Sequence, residues 1–213
     1  MPDQIKVEVV GGEAAVARED VESRQRFLER AVLVGGAVLA GGVLVAGIPR
    51  LAVSQPSEDQ DAKILNFALV LEELQAAFYE EALDRARPSG EWRQFVTTVG
   101  EHERRHLAFL RETLGSAAAK APKFDFGDTT SDEAKFRETV VALEDIGLAA
   151  YNGQATNLTP GALGAAAKIV SVEARHASWA RDLAGQAPAP RASDSAISED
   201  NARDELRDRG LLG

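Results

Sequence analysis

The chain of 213 residues contains no cysteine. Disulfides, thiolate-bound metals and cysteine-ligated iron centres are therefore excluded, and any redox chemistry must use oxygen and nitrogen ligands. Basic residues are in deficit: 24 Lys and Arg stand against 34 Asp and Glu, a net charge of -10. Phosphate recognition needs a basic face, so the charge balance argues against nucleic acid as a partner. No stretch reads as an obvious β-strand. Histidine is scarce, with only three in the sequence, and two of them belong to one repeated pattern.

That pattern is Glu103-Arg104-Arg105-His106, which returns as Glu173-Ala174-Arg175-His176. On a helix, residues i and i+3 share a face, so each ExxH aims a carboxylate and an imidazole at the same point. A further glutamate precedes each module: Glu72 lies 31 residues before Glu103, and Glu144 lies 29 before Glu173. Tyr79 follows Glu72 by seven and Tyr151 follows Glu144 by seven, which on a helix is two turns along one face. The chain thus reads Glu, ExxH, Glu, ExxH, in two similar halves. One Glu from each of two helices and one ExxH from each of two others matches the ligand set known for dinuclear carboxylate helical bundles.

Periodicity places these residues. A helix starting at Ser57, with Gln60 in capping-box position, runs to about Ala86 and presents Leu65, Leu69, Glu72, Ala76 and Tyr79 on one face, with Glu73 and Glu80 on a more polar side. A second, capped near Ser89, carries Val96, Val99, Glu103, His106 or Leu107, Leu110 and Leu114 to its end at Gly115. Irregular residues 116–129 are too long for a tight hairpin and read as a crossover. A third helix starts at a capping box from Thr130 to Glu133, presents Phe136, Val140, Glu144, Gly147 and Tyr151, and stops at Asn152-Gly153. Thr159 caps a fourth, with Pro160 in its first turn and Ala162, Ala166, Ile169, Glu173, His176, Ala180 and Leu183 on one face. The expected fold is all-α: two helical hairpins joined by a long crossover into an antiparallel four-helix bundle over residues 57–186. Residues 187–213 read as a linker and a mobile or loosely docked tail, with a charged helix near Ser198 to Arg209.

Residues 1–30 read as a polar tail. Residues 31–48 carry no charge and contain five glycines, a length borderline for a bilayer-crossing helix. Arginines 18, 24, 26 and 30 precede this run, which by the positive-inside rule keeps the N-terminus cytoplasmic. Ser23-Arg24-Gln25-Arg26-Phe27-Leu28 resembles a twin-arginine export signal, except that Gln25 separates the arginines, and Ala52-Val53-Ser54 offers a signal-peptidase site. Residues 31–53 are therefore expected to be an N-terminal hydrophobic helix, either an uncleaved membrane anchor or an export signal. The bundle would then lie on the extracytoplasmic side of the membrane or be exported, and an anchor at each N-terminus would obstruct a closed iron-storage shell.

The residues Ile64-Leu65-Asn66-Phe67-Ala68-Leu69, Leu71-Glu72, Ala77-Phe78-Tyr79, Glu103-Arg104-Arg105-His106, Leu143-Glu144-Asp145, Ala150-Tyr151 and Val172-Glu173-Ala174-Arg175-His176 together resemble the bacterial ferritin-like domain proteins related to plant desiccation-related proteins. The resemblance covers about residues 60–186. It implies a ferritin-like four-helix bundle holding two iron or manganese ions, in a family whose physiological reaction is mostly unassigned.

On this reading Glu72, Glu103 and His106 bind one metal, Glu144, Glu173 and His176 bind the other, and one or more carboxylates bridge. Tyr79 and Tyr151 are candidate catalytic residues that hydrogen-bond the ligands or carry a radical, although a tyrosine in a bundle core is also ordinary. Carboxylates with imidazole suit iron or manganese and leave zinc open. The expected chemistry is ferroxidase, peroxidase or catalase-like action on a small oxidant, oxygen or peroxide. Expected partners are the membrane and a second copy of the chain in a homodimer. Two alternatives stand beside it. His102-Glu103-Arg104-Arg105-His106 is literally HExxH, the zinc-hydrolase helix motif, in which His102 and His106 hold zinc, Glu103 is the base and Glu144 supplies a third ligand. That reading leaves Glu72 and the second ExxH unused; on the dinuclear reading His102 is a residue beside the ligands or on the surface. The other alternative is a structural bundle without metal.

Overall fold

Four stretches in which apolar residues recur every three to four positions form the long helices of the computed structural model, which describes residues 56–212. They are α1 (Glu58–Arg85), α2 (Gly90–Leu114), α3 (Glu133–Gln154) and α4 (Pro160–Leu183), followed by a shorter α5 (Glu199–Asp208). With two single 3-10 turns they make up all regular structure among the described residues, and no strand occurs there. The hydrophobic segment expected at 31–53 lies outside the described residues. Within them, no helix is long and apolar enough to cross a membrane.

Helix starts follow small oxygen-bearing side chains. Ser57 accepts from the Gln60 amide, Thr159 accepts from Ala162 N with Pro160 behind it, and Ser198 accepts from Asn201 N. Ser89 stands at the start of α2 but makes no side-chain cap bond. For α3 the expected capping box is corrected. Asp132 is the cap, accepting from Ala134 and Lys135 N, while the fully buried Thr130 donates to Glu81 Oε1 at 2.6 Å and pins the crossover to α1. Asp132 wins because its carboxylate meets two free amides at once. The crossover is held further by Phe126, packed edge-on against Phe78 at 5.3 Å.

Helix α1 packs along α2 and α3 along α4, with α1 also against α3 and α2 against α4. Two apolar clusters fix the directions. One is aliphatic and includes Ile64, Leu65, Leu69, Leu110, Leu114 and Ile169; the other is rich in rings, with Phe78, Trp92, Phe95, Phe126 and Phe136. Helices α1 and α4 run from the aliphatic cluster towards the aromatic one, and α2 and α3 run back, so neighbours are antiparallel. On each helix the glutamate of interest falls in the gap between the clusters.

The tail is a correction to the sequence reading. Ala202, Leu206 and Leu211 are buried in the aromatic cluster, and Ile197 N donates to Ala149 O at 3.0 Å. A Cβ on Gly153 would fall 1.8 Å from Ile197 O, so that position needs glycine for the tail to approach α3. Two apolar residues on one face of a charged helix, with Leu211 just beyond its end, are enough to dock it, because burial is worth roughly 1.5–3 kcal/mol for each large side chain.

Candidate metal centre

The seven-residue spacing decides which partner each tyrosine reaches. Two turns separate Tyr79 from Glu72, roughly 10 Å along the helix, so neither tyrosine serves the glutamate of its own helix. Each crosses instead. Tyr79 OH donates to Glu144 Oε1, and Tyr151 OH donates to Glu72 Oε1 at 2.5 Å. Both tyrosines are buried.

Between them the four helices deliver the expected ligand atoms to one place. Glu72, Glu103, Glu144 and Glu173 are each 0% exposed, and His176 is 3% exposed. Ligand-capable atoms of Glu72, Glu103, His106 and Glu173 lie within 4.8 Å of one another, as do those of Glu103, Glu144, Glu173 and His176. Glu103 and Glu173 belong to both groups. Glu103 spans them directly, with Oε2 3.2 Å from His106 Nδ1 and Oε1 3.1 Å from His176 Nδ1. Glu173 Oε1 sits between the same nitrogens, at 3.3 and 3.5 Å.

The polar atoms of this cluster point at shared space more than at one another. Glu103 Oε1, Glu144 Oε2, both Glu173 oxygens and His176 Nδ1 are buried and make no well-aligned hydrogen bond, the contacts between Nδ1 and these carboxylates being ion pairs of 3.1 to 3.6 Å. Orphaned buried acceptors cost about 1–3 kcal/mol each, more when charged, and such a cost is relieved by a cation placed among them. Four carboxylates and two imidazoles suit a divalent metal of hard or borderline character. The residues therefore fit a metal centre.

The electrostatics show what the cluster does with protons alone. Burial is the main force on Glu72 and lifts its pKa from 4.5 to about 8, with the Glu103 charge adding to the rise. Glu144 is raised as well, chiefly by burial. Burial disfavours the charged form of the two inner histidines, yet hydrogen bonds to Glu103, Glu173 and Glu72 carry His106 up to about 12, and Glu103, Glu144 and Glu173 do the same for His176. Protons on imidazole thus supply the positive charge that the anions demand. Burial and the facing glutamates push both tyrosines well above 10.

Each sequence-predicted site residue thus lies at the cluster: Glu72, Glu103, His106, Glu144, Glu173 and His176 within it, Tyr79 and Tyr151 hydrogen-bonded to its glutamates. Glu73 stays out, buried on another side with Oε1 2.5 Å from Arg111 Nη2. His102 is in neither group; its Nδ1 faces the outer nitrogen of His176, Nε2, at 2.9 Å. The zinc-hydrolase alternative is thereby left without its second imidazole. Gln75 is a residue the pattern did not predict. Its Nε2 donates to Glu144 Oε1 at 3.2 Å, and the signal that marks it is an amide one turn after Glu72 on an otherwise apolar face. Gly147 packs against it, and a Cβ there would lie in ordinary contact with Gln75 Oε1, at 3.4 Å.

Compared with known proteins, residues 60–186 match the family model of a ferritin-like domain. None of the curated proteins matches the chain.

Proposed function

Because the chain belongs to the ferritin-like domain family, we propose that it is a dinuclear iron or manganese protein, built as a four-helix bundle, that reacts with oxygen or peroxide. The observation that carries this reading is the pair of buried four-residue groups sharing Glu103 and Glu173, whose inward oxygens make no well-aligned hydrogen bond. Glu72 and His106 would hold one ion, Glu144 and His176 the other, with Glu103 and Glu173 common to both. Bound there, two such ions supply Lewis acidity and one-electron redox capacity towards a small oxidant.

The protein's own part is to hold that chemistry dry and oriented. The aliphatic and aromatic clusters flank the carboxylate layer and exclude bulk water. Tyr79 and Tyr151 keep one oxygen of Glu144 and of Glu72 turned away from the centre, leaving the other oxygen inward. Hydrogen-bonded to those glutamates, the two phenols would also stand close enough to give a proton or an electron to a substrate at the centre. The uncharged run at residues 31–48 supports placing this bundle at or beyond the cell membrane.

Elemental analysis of the full-length chain, expressed with iron and manganese supplied, tests the reading. About two iron or manganese ions per chain is the expected result, followed by measurable consumption of oxygen or peroxide. One zinc per chain would point back to the hydrolase reading. No metal under any loading condition would leave a structural bundle.

A further inference from the structure

The two halves of the centre follow one sequence pattern, and the pattern breaks at two positions. Three residues after the first glutamate stands Gln75 in one half and Gly147 in the other; immediately before the ExxH glutamate stands His102 in one half and Val172 in the other. Both additional polar residues belong to the first half of the chain. Both nevertheless act on the same side of the centre, the side of Glu144 and His176.

Gln75 donates to Glu144 Oε1, the oxygen that also accepts from Tyr79. With Oε1 occupied twice, Oε2 is left buried with no well-aligned hydrogen bond, turned towards His176 Nδ1 at 3.6 Å. His102 acts at the opposite edge. His176 offers Nδ1 to the carboxylates and Nε2 to His102 Nδ1 at 2.9 Å. The tautomer that frees Nδ1 for a metal carries its proton on Nε2 and donates it to His102. A histidine ligand whose outer N–H is so held has its ring orientation and its donor nitrogen fixed in advance.

The other side lacks both devices. Glu72 Oε1 accepts from Tyr151 alone, and its Oε2 is engaged by His106 Nδ1 at 3.1 Å. A metal entering there must part His106 from Glu72 itself, whereas on the other side His176 Nδ1 lies nearest the shared Glu103, at 3.1 Å, and is 3.6 Å from Glu144 Oε2. Among the described residues, His106 has no partner on its outer nitrogen comparable to His102.

Resting on the dinuclear reading above, we propose that His102 and Gln75 act as positioning residues that make the Glu144–His176 side the tighter metal position, filled first, with the Glu72–His106 side filled second. Outer partners of metal-binding histidines are typically worth about 10–100-fold in affinity, so the two positions differ by a factor of that order. Ordered filling has a chemical consequence. At limiting metal the protein holds a single ion, and the two-ion form able to share electrons with an oxidant appears only when supply is ample.

The test is a titration of the metal-free, full-length chain with Mn(II), following unbound Mn(II) by its EPR signal. The unmodified protein should show two binding events separated by at least about tenfold. His102→Ala should weaken the first event by about 10–100-fold and leave the second in place, so that the two merge. His102→Asn, whose Oδ1 can accept from His176 Nε2–H, should restore most of the separation. Gln75→Leu should weaken the first event by a smaller factor. Thermal unfolding of the metal-free His102→Ala protein should match the unmodified chain, since a purely structural role would move it. If the unmodified protein binds neither Mn(II) nor Fe(II), the dinuclear reading itself fails. If it binds two ions and His102→Ala leaves both events untouched, or weakens the second instead, the dinuclear reading survives and the ordering is overturned.

Discussion

The half of the chain formed by α1 and α2 and the half formed by α3 and α4 solve one problem with the same parts and different surroundings. Each contributes a buried glutamate, a tyrosine seven residues on, and an ExxH, and all four glutamates are equally removed from solvent. The parts are then exchanged: each tyrosine serves the other half's glutamate, and each ExxH glutamate joins both four-residue groups. What differs is the layer outside. Helix α1 is covered by the crossover through Phe126 and Thr130, α3 by the tail through Ile197 and α5. On the proposed reading, the repeat sets where the ligands stand, while departures from the repeat set how unequal the two positions are.

The largest effect expected separates shared from private ligands. Because Glu103 and Glu173 belong to both groups, Glu103→Ala or Glu173→Ala should reduce metal content from about two ions per chain to nearly none. Glu72→Ala and Glu144→Ala should each leave about one. Glu73→Ala, which breaks only the pair with Arg111, should leave metal content unchanged. Equal losses for Glu72 and Glu173 variants would erase the distinction between shared and private.

A second contrast sets the metal-free protein against the loaded one. Glu72 has a folded pKa of about 8 against 4.5, so between those values the unfolded chain has lost a proton that the folded chain keeps, and stability falls as pH rises. His106 and His176, raised from 6.5 to about 12, act in the same direction: their contribution is complete below about 6.5 and is lost on the way to about 12. The metal-free melting temperature should therefore decline from pH 5 to 9, most steeply between about 6.5 and 8, where all three groups contribute. Metal competes with those protons, so its affinity rises with pH. The gap in melting temperature between loaded and metal-free protein should widen from about pH 6 to pH 8. A metal-free protein that gains stability over this range would contradict the protonated centre.

The outer layers are where sequence reading stopped working, for physical reasons that particular residues make plain. Glu72, Glu144 and the two ExxH modules were legible because a carboxylate on an apolar stripe is costly and hence informative, and four of them in register leave little choice. The helix starts at Ser57 and Thr159 were legible because caps are local. Leu206 was not: an apolar residue in a short, highly charged helix says nothing about which distant surface it will cover. Thr130 misled for a similar reason, since its hydroxyl met Glu81, 49 residues away in sequence, instead of its own helix. Both outer layers should carry comparable weight. Leu206→Ala and Phe126→Ala remove fully or nearly fully buried side chains, and each should cost about 2–5 kcal/mol in denaturant unfolding. A loss under about 1 kcal/mol for Leu206→Ala would return the tail to the status of a loose appendage.

The smallest expected effect is the most discriminating between the halves. Tyr151→Phe takes from Glu72 Oε1 its only donor. Tyr79→Phe takes one of two from Glu144 Oε1, because Gln75 still donates there at 3.2 Å. Leaving a buried carboxyl oxygen unpartnered costs about 1–3 kcal/mol, whereas losing one of two donors costs about 1 kcal/mol or less. In the metal-free protein Tyr151→Phe should thus be the more damaging change, by chemical denaturation at fixed pH. Combining Tyr79→Phe with Gln75→Leu should cost more than the two changes added, since only the double variant empties Glu144 Oε1. Strict additivity, or a Tyr79→Phe loss as large as that of Tyr151→Phe, would mean that Gln75 gives Glu144 no reserve. The structural difference between the two sides would then rest on His102 alone.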